Sequence, residues 1–383
     1  MNKKIAIVSA VFIAMLSQLA FCAPNKTNVD KEKQLKTSIK LKDIGTLDLQ
    51  KDPNNPSEPA QLVLHKKVGN ITIVADTYEG LEPYELLQCD FNHDKILEFV
   101  AVLRYPESPN VVPYVYSFTD SLEKIFPKPD AETELLNCRE VFISQCDSKT
   151  ALCLKYLVSY HDYAPPELFK LEMYTSDRDG QLQLTKIGYN EGTHFNLLMN
   201  MAAEYMHNGR TQEAAALYNQ ALTSSTGEIT QAAFTEGLFS EAEALKFSGK
   251  YSQAMKLYEK LVLEYTDSNF TELAQKELEF LYANQKNPQL LDQYFKIQAE
   301  IVNDQAKIAL DHLNEMIQNN PNCEFIDRLL FSKAELLISE NKIDEAITVY
   351  KSIKVNYPNS SLIEAIDEML EDLEAKPEDT DGL

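Results

Sequence analysis

The sequence predicts an α+β protein with separate domains, in which an all-β domain (blade-like or a sandwich) precedes an all-α helical solenoid. From about residue 60 to 190, short segments rich in Val, Ile, Leu, Tyr and Phe are bounded by Asp, Asn, Pro or Gly, which is typical of strands. From about 193, Ala, Leu, Glu and Gln dominate and apolar residues recur three and four positions apart, which indicates helices. A similar helix-pair pattern occurs several times, which predicts a repeat array.

The N-terminus predicts export. Lys3 and Lys4 precede an apolar run over residues 5–21, and small residues follow, so we interpret residues 1–22 as a secretory signal peptide. A transmembrane anchor is the alternative, but the run barely reaches the roughly 20 apolar residues that a spanning helix needs. The expected location is the periplasm or the cell exterior.

The end of this signal leaves two outcomes open. Leu19-Ala20-Phe21-Cys22 resembles a bacterial lipobox, which implies acylation of Cys22 and anchoring in the outer membrane. That pattern has a small residue before the cysteine, whereas Phe21 is large. Ordinary cleavage after Cys22 fits the small-residue rule better, so a membrane is a partner only through lipidation at Cys22.

Charge restricts the partners. The chain of 383 residues has a formal net charge of −23, and the segment from residue 195 onward holds 32 acidic and 15 basic residues. An acidic solenoid repels phosphate groups, so we exclude nucleic acids and anionic membranes. Basic or neutral polypeptides are the expected partners.

The remaining composition divides the chain into four parts. Residues 23–59 are polar and end in a Pro- and Asn-rich stretch, which predicts a linker with one short strand near 38–41. The β domain follows at 60–190, the solenoid at 193–376 and an acidic tail at 377–383. The predicted strands of the β domain are 62–64, 71–74, 98–105, 113–118, 140–144, 152–160, 168–174 and 181–187.

The β domain contains an internal duplication. Leu87-Gln88-Cys89-Asp90 and Ser144-Gln145-Cys146-Asp147 lie 57 residues apart, and each is followed by a strand, a Pro-containing loop and a further strand. This spacing is close to the size of a four-stranded propeller blade. Because two units cannot close a propeller, we expect a blade-like pair or a compact sandwich.

Five cysteines follow Cys22. In an oxidising compartment the first four could form two disulfides, and Cys146 and Cys153 flank a turn that a cross-hairpin bond could close. Cys323 is the odd cysteine, and we interpret it as a small buried residue.

Helix pairs in the solenoid repeat a fixed set of small and aromatic residues. The small residues let two antiparallel helices approach closely, and an aromatic residue fills the space beside them. A degenerate copy covers 309–321, and residues 281–305 fit no register. The signature residues of the three clear copies are Ala202, Tyr205, Ala214 and Tyr218; Ala242, Ala254 and Tyr258; and Ala334, Ala346, Tyr350 and Pro358.

These positions resemble the tetratricopeptide repeat consensus. Two joints, Tyr265-Thr266-Asp267-Ser268 and Tyr357-Pro358-Asn359-Ser360, are similar to the joints of bacterial periplasmic members such as outer-membrane assembly lipoproteins and the Tol–Pal coordinating protein. The resemblance covers about 190 residues and implies protein–protein binding in the cell envelope.

The resemblance also implies a concave surface formed by the first helix of each repeat. We expect aromatic side chains between carboxylates there, which suits a peptide with apolar and basic residues. For Phe239 and Phe331, packing between neighbouring repeats is the alternative. The groove candidates are Met199, Met206, His207, Phe239, Glu243, Lys246, Phe331 and Glu335.

An acidic loop is a candidate calcium site. Asp90, Asn92, Asp94 and Glu98 occupy alternate positions, similar to the calcium loops of integrin-type FG-GAP blades. Lys95 stands where that family has a glycine that tolerates positive φ, as His93 does at a second position. We therefore favour a turn without metal, and a calcium-stabilised binding module is the first rival function.

Catalytic motifs are missing. The sequence has no Gly-x-Ser-x-Gly, phosphate-binding glycine loop or His-Glu-x-x-His, and His161-Asp162 is an isolated pair. An enzyme with a site in the β domain is the second rival. The leading hypothesis is an exported scaffold or adaptor that needs no cofactor and binds a protein or peptide through the solenoid.

Overall fold

The structure is a computed structural model that describes residues 36–374 apart from 53–54, 56, 120, 128–137, 162–164, 178–179 and 303–304. The predicted signal peptide, Cys22 and the acidic tail at 377–383 lie outside the described residues. The chain forms two compact units that divide between Gly192 and Thr193.

The N-terminal unit consists, in its described part, of three four-stranded antiparallel sheets, and within each sheet every strand pairs with the next one along the chain. The first contains β1 (Ser38–Leu41), β2 (Gly45–Gln50), β3 (Ala60–Lys66) and β4 (Ile71–Tyr78); the second contains β5 (Glu82–Cys89), β6 (Leu97–Arg104), β7 (Val111–Phe118) and β8 (Leu122–Phe126); the third contains β9 (Cys138–Cys146), β10 (Lys149–Val158), β11 (Leu168–Ser176) and β12 (Leu182–Tyr189).

Strand β6 shows why the three sheets stack. Successive side chains of a strand point to opposite faces, and on β6 both faces are apolar. Phe99 and Leu103 pack in one core with residues of the first sheet. Val100 and Val102 pack in a second core with residues of the third sheet, including Leu152. The second sheet is therefore the middle layer, buried on both sides.

The predicted linker at 23–59 is wrong over residues 38–50, where β1 and β2 form part of the first sheet. Ile39 and Leu47 are buried in the core of that sheet. Charged residues such as Lys40 and Asp48 alternate with them on the other face, so the segment has polar composition although its pattern is that of a half-buried strand. The expected pair of blade-like units is accordingly a set of three sheets.

The sequence duplication corresponds to consecutive sheets. Cys89 ends β5 and Cys146 ends β9, which are the first strands of the second and third sheets. Asp90 and Asp147 then begin the connection to the next strand. The two motifs thus occupy the same position in two successive meanders.

The proposed cross-hairpin disulfide is excluded by the strand register. Cys146 lies opposite Lys149 and Cys153 lies opposite Phe142, so the two cysteines are four residues apart along the hairpin. At about 3.3 Å per residue this is roughly 13 Å, far beyond the Cα separation that a disulfide spans. The five described cysteines are free thiols.

The C-terminal unit is helical. Its described residues form ten helices: α1 (Phe195–His207), α2 (Thr211–Ser224), α3 (Gln231–Phe247), α4 (Tyr251–Glu264), α5 (Thr271–Asn284), α6 (Pro288–Val302), α7 (Ala306–Asn319), α8 (Ile326–Ser339), α9 (Ile343–Asn356) and α10 (Ile363–Glu374). The pairs α1/α2, α3/α4 and α8/α9 pack closely, and α6 packs on both α7 and α3. The predicted order, a β domain followed by an α solenoid, is confirmed.

The repeat signature explains the tight helix pairs. The six signature alanines are fully buried, so each pair of helices meets where side chains are smallest: Ala202, Ala214, Ala242, Ala254, Ala334 and Ala346. The turn inside each pair contains one residue with positive φ, namely Gly209, Gly249 or Asn341. Such a left-handed residue ends a helix and reverses the chain.

Candidate protein-binding site

Most of the predicted groove residues lie inside the solenoid. Among the eight candidates, His207 is exposed and Met206 is half-buried. The other six are buried: Met199, Phe239, Glu243, Lys246, Phe331 and Glu335. The expectation that these six form an open wall is wrong, because neighbouring helices cover the face that the repeat register assigns to the groove.

The packing alternative accounts for the two phenylalanines. The ring of Phe239 lies 5.8 Å from Tyr258 and 5.3 Å from Phe270, centroid to centroid. The ring of Phe331 lies 5.4 Å from that of Tyr350. Phe239 therefore packs both within its own repeat and against Phe270 at the start of the next helix pair. Phe331 belongs to one apolar cluster with Tyr350 and with Ile366 of α10.

A buried ion cluster occupies the interior beside the second repeat. The Lys246 ammonium donates to Glu243 Oε1 and to Glu277 Oε2, each at 2.7 Å. Arg328 Nη1 lies 3.6 Å from Glu277 Oε1. We call these two carboxylates and two cations the ion cluster. It joins α3, α5 and α8 and carries no net charge.

Aromatic side chains surround this cluster. The Lys246 ammonium lies 5.3 Å from the ring centroid of Phe295 on α6, and the Arg328 guanidinium lies 4.1 Å from that of Phe280 on α5. The Tyr258 hydroxyl donates to Glu243. Phe295 belongs to the segment 281–305 that fits no repeat register, so this irregular helix covers part of the predicted groove.

Electrostatic interactions within the cluster favour the charged forms of Glu277 and Lys246. Burial alone would raise the pKa of Glu277, but Lys246 and Arg328 outweigh it and lower that pKa. Burial would likewise lower the pKa of Lys246, but Glu243 and Glu277 raise it. Burial raises the pKa of Glu243 despite its contact with Lys246, so the cations compensate the charge of Glu277 more fully than that of Glu243.

The sequence predicted Glu243 and Lys246 as separate groove residues but did not predict that Lys246 bridges Glu243 and Glu277. Lys246 and Glu277 are 31 positions apart in the chain. An acidic residue on the face of an ordinary amphipathic helix gives no signal that it is buried. The spacing of Glu243 and Lys246 by three positions was the one local indication of an ion pair.

The last repeat contains a related but incomplete arrangement. Glu335 and Tyr350 each lie 92 residues after Glu243 and Tyr258, at the same positions of the repeat. Glu335 is 5% exposed, and burial raises its pKa to about 8. The Tyr350 hydroxyl is buried and has no hydrogen-bond partner.

The last repeat lacks the residues that correspond to Lys246 and Glu277. The position of Lys246 is occupied by Ile338, and the position of Glu277 by Met369, again with an offset of 92 residues. Ile338 is buried and Met369 is partly buried in one apolar cluster with Tyr350. Within the described ranges, no ion pair joins Glu335 to a cation. Glu335 is therefore a buried carboxylate in an apolar setting.

The acidic loop between β5 and β6 retains the backbone of a turn that glycine would favour. His93 and Lys95 have φ of 61° and 71°, so this turn has the left-handed backbone that glycine favours although neither residue is a glycine. The carboxylate oxygens accept loop amides: Glu98 Oε2 from Phe91 at 2.8 Å, and Asp90 Oδ2 from Lys95 at 3.1 Å.

The other predicted loop ligands are occupied in the same way. Asp94 Oδ1 accepts the Ile96 amide at 2.6 Å, and the Asn92 amide donates to Asp94 Oδ2 at 2.8 Å. Across the described part of the chain, no three His, Cys, Asp or Glu residues are placed to hold a metal ion. Asp162 of the predicted His161-Asp162 pair lies outside the described residues.

Comparison with known proteins identifies the repeat. A family model of the tetratricopeptide repeat matches residues 329–360, which run from α8 through α9 to the following joint. No curated protein matches the chain significantly. The match and the helix geometry support a tetratricopeptide repeat protein, and such repeats support a scaffold for protein–protein interaction. The described residues include no helix with the length and apolar character needed to cross a membrane.

Proposed function

We propose that this protein is an exported scaffold or adaptor of the bacterial envelope that binds a protein or peptide through its solenoid. The observation that carries the proposal is the regular last repeat, which both matches the family model and preserves the helix-pair geometry. The N-terminal Lys3, Lys4 and the apolar run at 5–21 support export. The acidic solenoid supports a partner with basic character.

We propose a binding protein rather than an enzyme. The ion cluster inside the solenoid consists of opposite charges in hydrogen-bonded contact with one another. Such an arrangement stabilises a particular packing and offers no activated nucleophile.

Position-specific crosslinking tests the proposal. His207 and Ser339 are exposed at the same position of the first helix in two repeats, whereas Leu263 and Val355 are exposed at the same position of the second helix. A photoreactive amino acid is introduced at each of these four sites in the full chain, expressed in its native cell. We expect partner adducts at His207 and Ser339 and few at Leu263 and Val355. Equal adduct yields at all four sites would contradict binding through the first-helix surface.

The proposed location has a direct test. Mass spectrometry of the mature chain should show an N-terminus at Ala23, as ordinary cleavage after Cys22 predicts. An acylated N-terminal Cys22 would instead show an outer-membrane lipoprotein. A chain that retains Met1 and fractionates with the cytoplasm would contradict export altogether.

We also propose that the acidic loop needs no metal, since loop amides donate to Asp90, Asp94 and Glu98, although Asp90 Oδ1 is buried without a hydrogen-bond partner among the described residues. Millimolar calcium or a chelator should leave the melting temperature unchanged. As a control, Asp94→Asn, which removes a charge but keeps the acceptor of the Ile96 amide, should behave in the same way. A calcium-dependent rise in melting temperature that Asp94→Asn abolishes would support the calcium-stabilised module instead.

A further inference from the structure

Within the described part of the chain, the last repeat contains a buried carboxyl group without an ion pair and a buried hydroxyl group without a hydrogen bond. Glu335 is a nearly buried carboxylate without a cation, and the hydroxyl of fully buried Tyr350 has no hydrogen-bond partner. The two residues occupy the repeat positions of Glu243 and Tyr258, whose side chains are hydrogen-bonded to each other in the second repeat. Buried polar groups of this kind are normally paired, so an absent partner requires an explanation.

The molecule contains the completed version of the same arrangement. In the second repeat, Glu243 and Tyr258 occupy the equivalent positions, and the Lys246 ammonium binds Glu243 at 2.7 Å while Tyr258 donates to the same carboxylate. A cation from a lysine side chain is therefore what a carboxylate at this position of the repeat binds when it is satisfied.

We propose that the last repeat binds a lysine or arginine side chain of the partner polypeptide, with Glu335 as its counter-ion and Tyr350 as a further hydrogen-bonding group. The inference rests on the proposed function and specifies the chemistry of its ligand. Ile338 and Met369 stand where the second repeat has its own cation and second carboxylate, so neither position supplies a charged partner for Glu335.

The surroundings suit such a side chain. The long aliphatic stem of lysine or arginine packs on apolar surface while its head group reaches a polar partner, and here Ile338, Met369 and Leu362 belong to one apolar cluster. Tyr294 interacts electrostatically with Glu335 as well as with Arg328. The acidity of the solenoid as a whole attracts a basic ligand toward this position.

Peptides that differ in one side chain test the inference. The probe is a fluorescein-labelled peptide Gly-Ser-Phe-X-Leu-Ser-Gly in which X is lysine, arginine or the neutral analogue norleucine. Fluorescence anisotropy with the full mature chain should show at least tenfold tighter binding when X is lysine or arginine. Equal binding of the three peptides would overturn the proposal.

Two variants assign the preference to Glu335. Glu335→Gln keeps the shape and removes the charge, and Ile338→Lys supplies an internal cation at the position of Lys246. Both should lose the preference for a basic X, and circular dichroism checks that both remain helical. Glu340→Gln, at an exposed site on the next turn, is the matched control and should retain the preference. A preference that survives in Glu335→Gln would show general charge attraction and overturn the site.

Further experiments test whether the chain's own tail occupies the site, and whether a negative result contradicts only this inference or also the proposed scaffold function. Removal of residues 375–383, which include Lys376, should leave peptide binding unchanged; a gain in binding would show that the chain's own tail occupies the site and would overturn a partner side chain. If crosslinking at Ser339 continues at the same yield in Glu335→Gln, this inference fails and the scaffold function stands. If no adducts form at His207 or Ser339, the proposed function itself fails.

Discussion

The second and last repeats have the same arrangement of two helices but differ in the polar side chains buried between them. Their aromatic pairs have nearly the same geometry: Phe239 and Tyr258 lie 5.8 Å apart at 57°, and Phe331 and Tyr350 lie 5.4 Å apart at 58°. Both repeats have a glutamate at the same position, Glu243 or Glu335. The residue three positions later differs: it is Lys246 in the second repeat and Ile338 in the last. Small and aromatic residues thus determine the helix pair, while the groups around the carboxylate vary independently.

Because of this difference, the buried glutamate of the second repeat has a cation from the chain itself, whereas that of the last repeat has none among the residues that the structure describes. In the second repeat, the ion cluster satisfies its charges internally and connects three helices that are distant in sequence. A buried ion pair contributes little net stability relative to an apolar replacement, but removal of one partner leaves an uncompensated charge. In the last repeat, burial raises the pKa of Glu335 to about 8, so this group holds a proton near neutral pH, and a bound cation would favour its ionised form.

The largest expected effect comes from removing the cation of the second repeat. Lys246→Met leaves Glu243 and Glu277 buried without their shared ammonium, so we expect a loss of about 3–5 kcal/mol in the free energy of unfolding. Chemical denaturation monitored by circular dichroism measures it. Lys276→Met is the matched control, because Lys276 forms an ion pair of the same length with Glu272 at an exposed site. Similar losses in the two variants would show that the cluster is not buried as described.

The next effect tests whether the two repeats share one steric design. Ala254 and Ala346 are fully buried at equivalent positions where the two helices of a repeat meet. Replacement of either by leucine should overpack the contact and destabilise the protein by about 1–3 kcal/mol. Thermal denaturation of Ala254→Leu and Ala346→Leu should show losses of similar size. A variant with an unchanged melting temperature would mean that the register assigned to its repeat is wrong.

Such steric positions could be predicted from the sequence, whereas the polar contacts could not. Ala254 and Tyr258 lie at fixed spacing within one repeat, so a local pattern reveals them. The partners of Lys246 come from α5 and α8 and depend on the path of the irregular segment 281–305. Strand β2 escaped prediction for a related reason, since polar residues on its outer face resemble a linker until the pairing with β3 is known.

The smallest expected effect, a dependence of stability on pH, distinguishes the two carboxylates. Burial raises the pKa of Glu335 from the usual 4.5 to about 8, and the titratable groups that interact with it are Tyr350 on α9 and Tyr294 on α6. Between these two pH values the folded protein binds a proton that the unfolded chain has lost, so this contribution to stability is full below pH 4.5 and declines as the pH rises to 8. Glu335→Gln removes that decline.

The variant should therefore gain stability relative to the wild type as the pH increases from 5 to 6.5, by about 2 kcal/mol. Urea denaturation at several pH values measures the difference between the two proteins, in which the titration of the many other acidic residues cancels. Glu340→Gln, at an exposed site, should show no such trend. If the difference between wild type and Glu335→Gln stays constant with pH, Glu335 is already paired, and the contrast between the second and last repeats disappears together with the site inferred from it.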